Sequence, residues 1–327
     1  MPRVLITPTI LRNVPGPYCD ILLQGGFEIL YPPQDCDTMQ IENLRPLLAR
    51  ADAMLASTER LTRDVLAGTP VRAIARMGVG YDSIDVAAAT DLGIVVTITP
   101  GTVEESVAEH TVALMLGVSR GLVQRDREVR SGRWTRRPLP RMAGRTFGII
   151  GLGRIGRAVV PRVQGLGMRV IAHDPFADPE VASRLGVTLM SLSELLQTAD
   201  VVSLHTTTTP ETKHLINRNT LAQMRPGAIL INTGRGALVD EQALCEALDR
   251  GQLFGAALDV FEVEPLPLTS PLLKYPNVLL CTHMGGLDWE SQAAASSLAA
   301  QCLVDLYQGR WPEACVVNRE LRDRFRW

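Results

Sequence analysis

The chain has 327 residues, 46% of them hydrophobic and 21% charged, which is typical of a folded protein with sizeable cores and excludes a disordered chain. A length of this order favours two domains over one. The 33 basic and 35 acidic residues leave a formal net charge of −2, which offers no basic field for nucleic acid, and no apolar run approaches the roughly 18 residues of a membrane span.

The cysteines and histidines are placed as in a protein without disulfides or metals. None of the six cysteines forms a Cys-x-x-Cys pair, and a chain of this length needs no disulfide staples. The five histidines are not spaced with cysteines or carboxylates as a metal site requires. The N-terminus lacks the long apolar core of a signal peptide. We therefore predict reduced thiols, a cytoplasmic location, and no metal, nucleic acid or membrane as partner.

The first hundred residues alternate short apolar runs with amphipathic stretches. The runs that favour strands are Arg3–Thr7, Glu28–Tyr31, Ala53–Ala56, Val71–Arg76 and Ile94–Ile98. The stretches that favour helices are Ile41–Arg50, Thr62–Ala67 and Asp85–Leu92, the last followed by Gly93 as a stop. This β-α-β rhythm predicts a parallel sheet with helices on both faces.

A second α/β series follows the break at Thr99-Pro100-Gly101. The apolar spacing predicts long helices over Thr102–Arg120 and Asp288–Gln308. The strands predicted between them are Thr146–Ile150, Arg169–His173, Val201–Leu204, Ala228–Asn232, Gly255–Leu258 and Val278–Cys281. Two such series predict an α/β protein of two doubly wound domains. Ligands in such folds bind beyond the carboxyl ends of the strands, so a cleft between the domains is the default site.

A glycine-rich turn follows the first strand of the second series. Gly151-Leu152-Gly153-Arg154-Ile155-Gly156 is a G-x-G-x-x-G motif between a predicted strand and a helix over Arg157–Gly165. Gly151 permits the tight turn, Gly153 lets the backbone approach a pyrophosphate, and Gly156 allows close packing of helix on strand. The N-terminus of the helix then offers N–H groups and a positive dipole to the anion.

Asp174 completes this motif, because it ends the next strand 18 residues after Gly156. A carboxylate there accepts hydrogen bonds from the ribose hydroxyls of an adenosine and repels a 2′-phosphate. No arginine follows it directly, so the sequence predicts NAD rather than NADP. A structural turn with an incidental aspartate is the alternative.

Polar residues follow three later strands at their carboxyl ends. Arg235 stands between two glycines, where a guanidinium suits forked recognition of a carboxylate. Asp259, Glu262 and Glu264 follow the next strand, and His283 follows the last one. A histidine at this edge is a candidate general acid/base, which a nearby carboxylate would orient. Whether Glu262 or Glu264 meets His283 stays open at this point, and each residue alone is compatible with an ordinary surface position.

Taken together, in their order and spacing, the motifs resemble the D-isomer-specific 2-hydroxyacid dehydrogenase family over essentially the whole chain. The motifs are Arg76–Asp85, Glu105–Thr111, the glycine turn with Asp174, Asn232–Gly236, Leu258–Pro265, His283–Gly286 and the region near Val317-Asn318. The first three look most like the phosphoglycerate dehydrogenase branch of this family.

The resemblance implies a domain arrangement and a set of site residues. It implies a Rossmann NAD-binding domain of residues 100–287, a discontinuous flavodoxin-like substrate-binding domain of residues 1–99 and 288–327, and a homodimer. The implied catalytic residues are Arg235, Glu264 and His283. The implied cofactor-binding residues are Gly151, Gly153, Arg154, Ile155, Gly156, Asp174, Thr206, Thr233, Gly234, Arg235, Asp259, His283 and Gly286. The implied substrate-binding residues are Gly78, Val79, Gly80, Arg235 and His283.

The resemblance also implies a reaction. NAD-dependent hydride transfer would interconvert a small-molecule 2-hydroxy acid and its 2-oxo acid, with His283 as acid/base and Glu264 holding it protonated. Arg235 and the Gly78–Gly80 backbone would bind the carboxylate of the substrate. Arg235 would in addition stabilise the negative charge that grows on the reacting oxygen.

The substrate stays open because the chain departs from the phosphoglycerate dehydrogenase branch. That branch usually continues after its histidine with small residues and Ser-Thr, where this chain has Leu287, Asp288 and Trp289. Ala56 stands where the branch often carries an arginine for the substrate phosphate. The candidates are 3-phosphoglycerate, glyoxylate or hydroxypyruvate, and a bulkier 2-oxo acid. Formate is disfavoured, because formate dehydrogenases carry glutamine where Glu264 stands.

Two other functions are compatible with these residues. One is a non-enzymatic NAD(H)-sensing interaction protein of the same fold, since corepressors with this fold keep the three catalytic residues. The other is a dinucleotide enzyme of another chemistry, such as hydrolysis, although its own motifs are not visible. Activity on any 2-oxo acid with NADH would separate an enzyme from a sensor.

Overall fold

The computed structural model describes all 327 residues of the chain. They divide into two compact units, one formed by Met1–Val103 with Leu287–Trp327 and the other by Glu104–Gly286. The sequence placed the corresponding divisions after residue 99 and after residue 287.

The first unit begins with five strands and four helices. They are β1 (Arg3–Ile6), α1 (Pro17–Gln24), β2 (Glu28–Leu30), α2 (Ile41–Leu48), β3 (Ala53–Ala56), α3 (Arg63–Leu66), β4 (Ala73–Arg76), α4 (Val86–Asp91) and β5 (Val95–Thr97). All strand pairs are parallel, in the order β2-β1-β3-β4-β5. This is the flavodoxin-like order of a doubly wound sheet.

The second unit contains seven strands and seven helices. They are α5 (Glu104–Ser119), α6 (Leu122–Arg130), β6 (Thr146–Ile150), α7 (Arg154–Gly165), β7 (Arg169–His173), α8 (Pro179–Arg184), β8 (Thr188–Leu189), α9 (Leu192–Thr198), β9 (Val201–Leu204), α10 (Arg218–Gln223), β10 (Ala228–Asn232), α11 (Glu241–Asp249), β11 (Leu253–Leu258) and β12 (Val278–Leu280). The parallel strands lie in the order β12-β11-β10-β9-β6-β7-β8, which is the Rossmann order with one additional strand.

The position of β6 in this sheet places the ligand site of the second unit. Strand β6 pairs with β7 on one side and with β9 on the other, so the chain changes direction of winding there. All five residues of β6 are buried, as is usual for a parallel strand covered by helices on both faces. Ligands of open α/β sheets bind at the carboxyl ends of the strands beside such a switch point. The glycine turn follows β6 directly.

The last helix, α12 (Trp289–Tyr307), belongs to the first unit and packs on α1. The segment after it returns to the edge of the first sheet, where the Ile98 N–H donates to the Cys315 carbonyl and the Val317 N–H donates to the Val96 carbonyl, both at 2.9 Å. The C-terminal segment is thereby joined to the end of β5.

The predicted fold class is confirmed, since both units are α/β with parallel, doubly wound sheets. Helix α7 begins at Arg154 rather than at Arg157, because the helical backbone starts inside the glycine motif. None of the helices combines the length and the apolar character needed to cross a bilayer.

Candidate active site

The glycine turn after β6 has the tight geometry that its sequence predicts. Gly151 has φ +95°, and a Cβ added there would lie 2.7 Å from the His205 carbonyl group. A Cβ at Gly156 would lie 2.2 Å from the Gly151 carbonyl oxygen, so α7 and the turn pack too closely for any side chain. Gly153 faces open space and caps α7 without a side-chain hydrogen bond. The N-terminus of α7 therefore suits a phosphate group.

Asp174 lies against this turn. Its Oδ2 accepts a hydrogen bond from the Leu152 N–H, and its Oδ1 accepts one from the Phe176 N–H, both at 2.8 Å. The carboxylate is therefore held beside the glycine motif, at the carboxyl end of β7. This is where the ribose of a dinucleotide bound at the turn needs an acceptor, so the residues present fit NAD.

The loop that carries Arg235 is folded around the buried side chain of Asn232. The Asn232 amide donates to the Arg235 carbonyl at 2.8 Å, and its oxygen accepts from the Gly234 N–H at 3.0 Å. The Arg235 guanidinium in turn donates from Nη1 to the Gly234 carbonyl at 2.7 Å. Sequence reasoning did not single out Asn232, although its place at the end of β10 was visible.

Gly236 brings the Arg235 loop against the segment that carries Glu264. A Cβ at position 236 would lie 1.9 Å from the carbonyl carbon and oxygen of Phe261, so only glycine fits there. The Phe261 N–H donates to Glu264 Oε1 at 3.0 Å. The close approach of the two backbones thus sets the position of Glu264 relative to Arg235.

Glu264, and not Glu262, meets His283. The His283 Nδ1 and the Glu264 Oε2 lie 2.7 Å apart, a hydrogen-bonded ion pair when the ring is protonated. Burial alone would raise the pKa of Glu264, but His283, the Phe261 N–H and the charge of Arg235 outweigh it and hold this pKa below its ordinary value. Glu264 is therefore a carboxylate at neutral pH. Glu262 instead pairs with His214.

Asp259 holds the turn that contains His283. Its carbonyl oxygen accepts from the His283 N–H at 2.8 Å, its Oδ1 from the Met284 N–H at 2.9 Å, and its Oδ2 from the Gly285 N–H at 2.7 Å. His283 has φ +55°, a left-handed conformation that costs a non-glycine residue energy. Three hydrogen bonds accepted by Asp259 stabilise that conformation.

The remaining predicted cofactor residues are placed around the same sheet edge. The backbone of Thr206 packs against the glycine turn, since its nitrogen would lie 2.8 Å from a Cβ added at Gly151. The Thr233 hydroxyl is hydrogen-bonded to the Thr111 hydroxyl of α5, at 3.1 Å. Arg154 and Ile155 form the first turn of α7, Arg154 being exposed and Ile155 half-buried. Gly286 is half-buried and ends the turn after His283.

Comparison with known proteins supports the motifs. The family described as "D-isomer specific 2-hydroxyacid dehydrogenase, NAD binding domain" matches residues 112–285. A glyoxylate reductase from Aeropyrum pernix is 42% identical over 334 residues, which cover 98% of this chain and 97% of the relative. The chain belongs to this family of D-isomer specific 2-hydroxyacid dehydrogenases.

Two further similarities place the chain within the family. A D-3-phosphoglycerate dehydrogenase from Methanocaldococcus jannaschii is 41% identical over 280 residues, which cover 84% of this chain but only 53% of the relative, so the chain spans about half of that protein's length. A D-lactate dehydrogenase from Aquifex aeolicus, solved with NAD and lactic acid, superposes with a TM-score of 0.83 at 28% identity and covers 96% of this chain and 98% of its own.

Membership confirms two predictions for this 2-hydroxyacid dehydrogenase. The protein is an NAD-dependent enzyme of this family, and NAD is its cofactor. The catalytic and binding roles of individual residues stay predictions.

Within the first unit of the dehydrogenase, the predicted substrate turn has one N–H group already engaged. Gly78 has φ +130°, and its N–H donates to Thr99 Oγ1 at 2.8 Å. The Gly78 N–H is therefore not available to a substrate carboxylate, and the roles of Val79 and Gly80 stay predictions.

Three positions at which the dehydrogenase departs from the phosphoglycerate branch have different surroundings. Ala56 is buried at the end of β3. Asp288 caps α12, since its side chain accepts from the Ser291 N–H. Trp289 is 87% exposed in the first turn of that helix, so it does not belong to the core of the unit.

Sequence reasoning missed one residue beside the site. His110, on α5, lies with its Nε2 3.4 Å from Asp259 Oδ1, and the ligand-type atoms of His110, Asp259 and Cys281 all lie within 4.8 Å of one another. Both Asp259 oxygens also accept backbone N–H groups, so His110 pairs with an already hydrogen-bonded carboxylate beside the Cys281 thiol. The spacing in the sequence carries no signal for this contact.

Proposed function

We propose that this dehydrogenase interconverts a 2-hydroxy acid and its 2-oxo acid, with Arg235, Glu264 and His283 as the catalytic residues. The 2.7 Å contact between His283 Nδ1 and Glu264 Oε2 carries this proposal. It leaves the other ring nitrogen, Nε2, to exchange a proton with the substrate oxygen. The carboxylate also orients the ring, whose protonated form is the one that can donate a proton to a carbonyl oxygen.

Each catalytic residue then has one task in the reduction of the 2-oxo acid. NADH, when bound, supplies the hydride from C4 of its nicotinamide to the carbonyl carbon. His283 donates a proton to the carbonyl oxygen, and Glu264 keeps the ring oriented. Arg235 binds the carboxylate of the substrate and stabilises the charge that develops on the oxygen. In the oxidation of the hydroxy acid, the neutral His283 ring accepts the hydroxyl proton.

Asp259 and the glycine turn would position the cofactor for this step. Gly153 leaves room for the pyrophosphate at the N-terminus of α7, while Gly151 and Gly156 allow the tight turn and the close packing of α7 against it. Asp174, held at this turn, would accept hydrogen bonds from the ribose hydroxyls. Asp259 is expected to meet the carboxamide of the nicotinamide.

Among the candidate substrates, we propose glyoxylate or hydroxypyruvate ahead of 3-phosphoglycerate. Support comes from Ala56, which supplies no charge for a substrate phosphate, and from the length match to glyoxylate reductases. A bulkier 2-oxo acid is the third candidate. As the family resemblance implies, the Val79 and Gly80 N–H groups are proposed to bind the substrate carboxylate.

A panel of 2-oxo acids with NADH tests the proposed function. Glyoxylate, hydroxypyruvate, 3-phosphohydroxypyruvate, pyruvate and a branched-chain 2-oxo acid are compared by the loss of NADH absorbance at one pH. We expect turnover, with glyoxylate or hydroxypyruvate giving the highest kcat/KM. NADH binding with no turnover of any acid would favour the NAD(H)-sensing alternative, and a preference for the phosphorylated acid would refute the substrate ranking.

Replacing Asp174 by alanine is expected to reduce the preference for NADH over NADPH by about 10- to 100-fold, because hydrogen bonds to a charged group are lost and the repulsion of a 2′-phosphate disappears. The ratio of kcat/KM for the two cofactors is the measurement. Asp178→Ala is the matched control, since Asp178 only caps α8 by accepting from the Glu180 N–H. An unchanged ratio in Asp174→Ala would remove the assigned role.

We also propose that the enzyme is a cytoplasmic homodimer, as the family resemblance and the cysteine usage imply. Large apolar side chains on and after α6 support an interface there, because Leu122, Val129 and Trp134 are exposed in the single chain. Light scattering of the purified protein measures the oligomeric state.

A further inference from the structure

A buried ion pair lies directly behind the turn that carries His283. The Asp259 side chain is 1% exposed and the His110 side chain 18% exposed, and their Oδ1 and Nε2 atoms lie 3.4 Å apart. Gly285 packs against both side chains, since a Cβ there would lie 3.0 Å from Asp259 Oδ2 and 3.5 Å from His110 Cδ2. The proposed reaction uses the turn but assigns nothing to His110.

Helix α5 holds this turn at two points one helical turn apart. The Ser106 hydroxyl donates to the Gly285 carbonyl at 2.7 Å, and His110, four residues later, faces Asp259. Asp259 in turn receives the N–H groups of His283, Met284 and Gly285. Helix α5 is thereby connected to the backbone of His283 through Asp259.

We propose that His110 is a positioning residue, which in its protonated form keeps Asp259 ionised so that Asp259 can hold the His283 turn and the nicotinamide end of the cofactor site. This inference rests on the proposed function, because it takes His283 as the acid/base. His110 itself does not touch the reacting atoms.

The charge balance supports this role. A buried carboxylate is costly unless it is paired and hydrogen-bonded, and two backbone N–H groups supply no net charge. The groups that act on His110 are Asp259 and Cys281, while Glu105 and Glu109 on its own helix are exposed and pair with Arg162. The interactions of His110 with Asp259 and with Cys281 outweigh the effect of burial and raise the pKa of His110 to about 9.

The contact with His110 also affects the pKa of Asp259. Burial alone would raise the pKa of Asp259, but His110 and the Met284 and Gly285 N–H groups hold this pKa below its ordinary value. The pair is therefore ionised at neutral pH. Because the pKa of His110 is raised in the folded protein, its contribution is complete below about 6.5, the ordinary value, and is lost as the pH rises through about 9.

The first test uses the unaltered protein. Imidazole NMR signals of the five histidines are followed from pH 5 to 10.5, and His110→Gln identifies the signal of His110. We expect this ring to titrate near pH 9. A midpoint below 7.5 would overturn the proposal without any demand on the folding of a variant.

The second test measures NADH affinity by fluorescence, without turnover. We expect His110→Gln to bind NADH about tenfold more weakly than wild type at pH 7.5, with little further change up to pH 10. The wild type should weaken toward the value of the variant over that range, and Cys281→Ser should keep the same midpoint. Glu109→Gln, one residue away on the exposed side of α5, should behave as wild type. An undiminished pH dependence in His110→Gln would refute the role.

A double-mutant cycle of His110→Gln and Asp259→Asn separates a positioning role from a general loss of structure. If His110 acts through the charge of Asp259, adding His110→Gln to Asp259→Asn costs less than twofold in NADH affinity, whereas independent effects would again cost about tenfold. These readouts need no catalysis. A failure of His283 as acid/base would therefore appear in turnover, and a failure of the His110 role would appear in binding.

Discussion

Replacing His283 by alanine is expected to lower kcat for a 2-oxo acid by about 10²- to 10⁴-fold, the usual contribution of a general acid/base. The Nδ1 atom of the ring is held by Glu264 at 2.7 Å, so proton exchange with the substrate depends on the remaining nitrogen. The Kd for NADH should change little, because the Asp259 carbonyl binds the backbone of residue 283 and not its side chain. Steady-state turnover and NADH fluorescence titration measure the two quantities.

The matched control for this prediction is His214→Ala. His214 also pairs with a glutamate, Glu262, but belongs to the loop before α10. Its replacement should leave kcat within a few-fold of the wild type. If His283→Ala weakened NADH binding as strongly as turnover, His283 would be a structural or cofactor residue and not the acid/base.

Replacing Arg235 by alanine is expected to lower kcat/KM for the 2-oxo acid by about 10³-fold or more. The loss of one donor that stabilises a developing oxyanion costs about 10²- to 10³-fold, and the carboxylate of the substrate loses its charged partner as well. Arg235→Lys should recover only a small part, because an ammonium group cannot form the paired hydrogen bonds of a guanidinium.

Two further measurements make the Arg235 prediction specific. The KM for the 2-oxo acid should rise while the Kd for NADH stays within a few-fold of the wild type, since the glycine turn and Asp174 are untouched. Arg218→Ala is the control, because Arg218 is an exposed arginine paired with Glu246. A change confined to NADH affinity would show that Arg235 belongs to the cofactor site alone.

Much of the local structure near the site was predictable from the residues alone. Strands β6, β7, β9 and β10 have the predicted bounds, because buried parallel strands read as continuous apolar runs that end at glycine, proline or polar residues. Helix α6, Leu122–Arg130, was not predicted. Its only buried residue is Glu128, so no apolar periodicity marks it.

The cofactor site was predictable from the sequence because its residues lie close together in the chain. The glycine motif and Asp174 have a spacing set by one strand, one helix and the next strand, so the sequence identifies them as a unit. The sequence could not show whether Glu262 or Glu264 meets His283. The two residues are neighbours in one loop, and the close approach of Gly236 to Phe261 decides which carboxylate reaches His283.

The sequence by itself therefore determined the α/β class, the dinucleotide turn and the residue types available at the strand ends, because these depend on local periodicity and on short spacings. Only the tertiary structure decided which of these side chains meet. Contacts between residues as distant in the chain as His110, Asp259 and Cys281 depend on the order of strands in the sheet and on the helix that covers it. That order results from packing the whole unit, and no short segment encodes it.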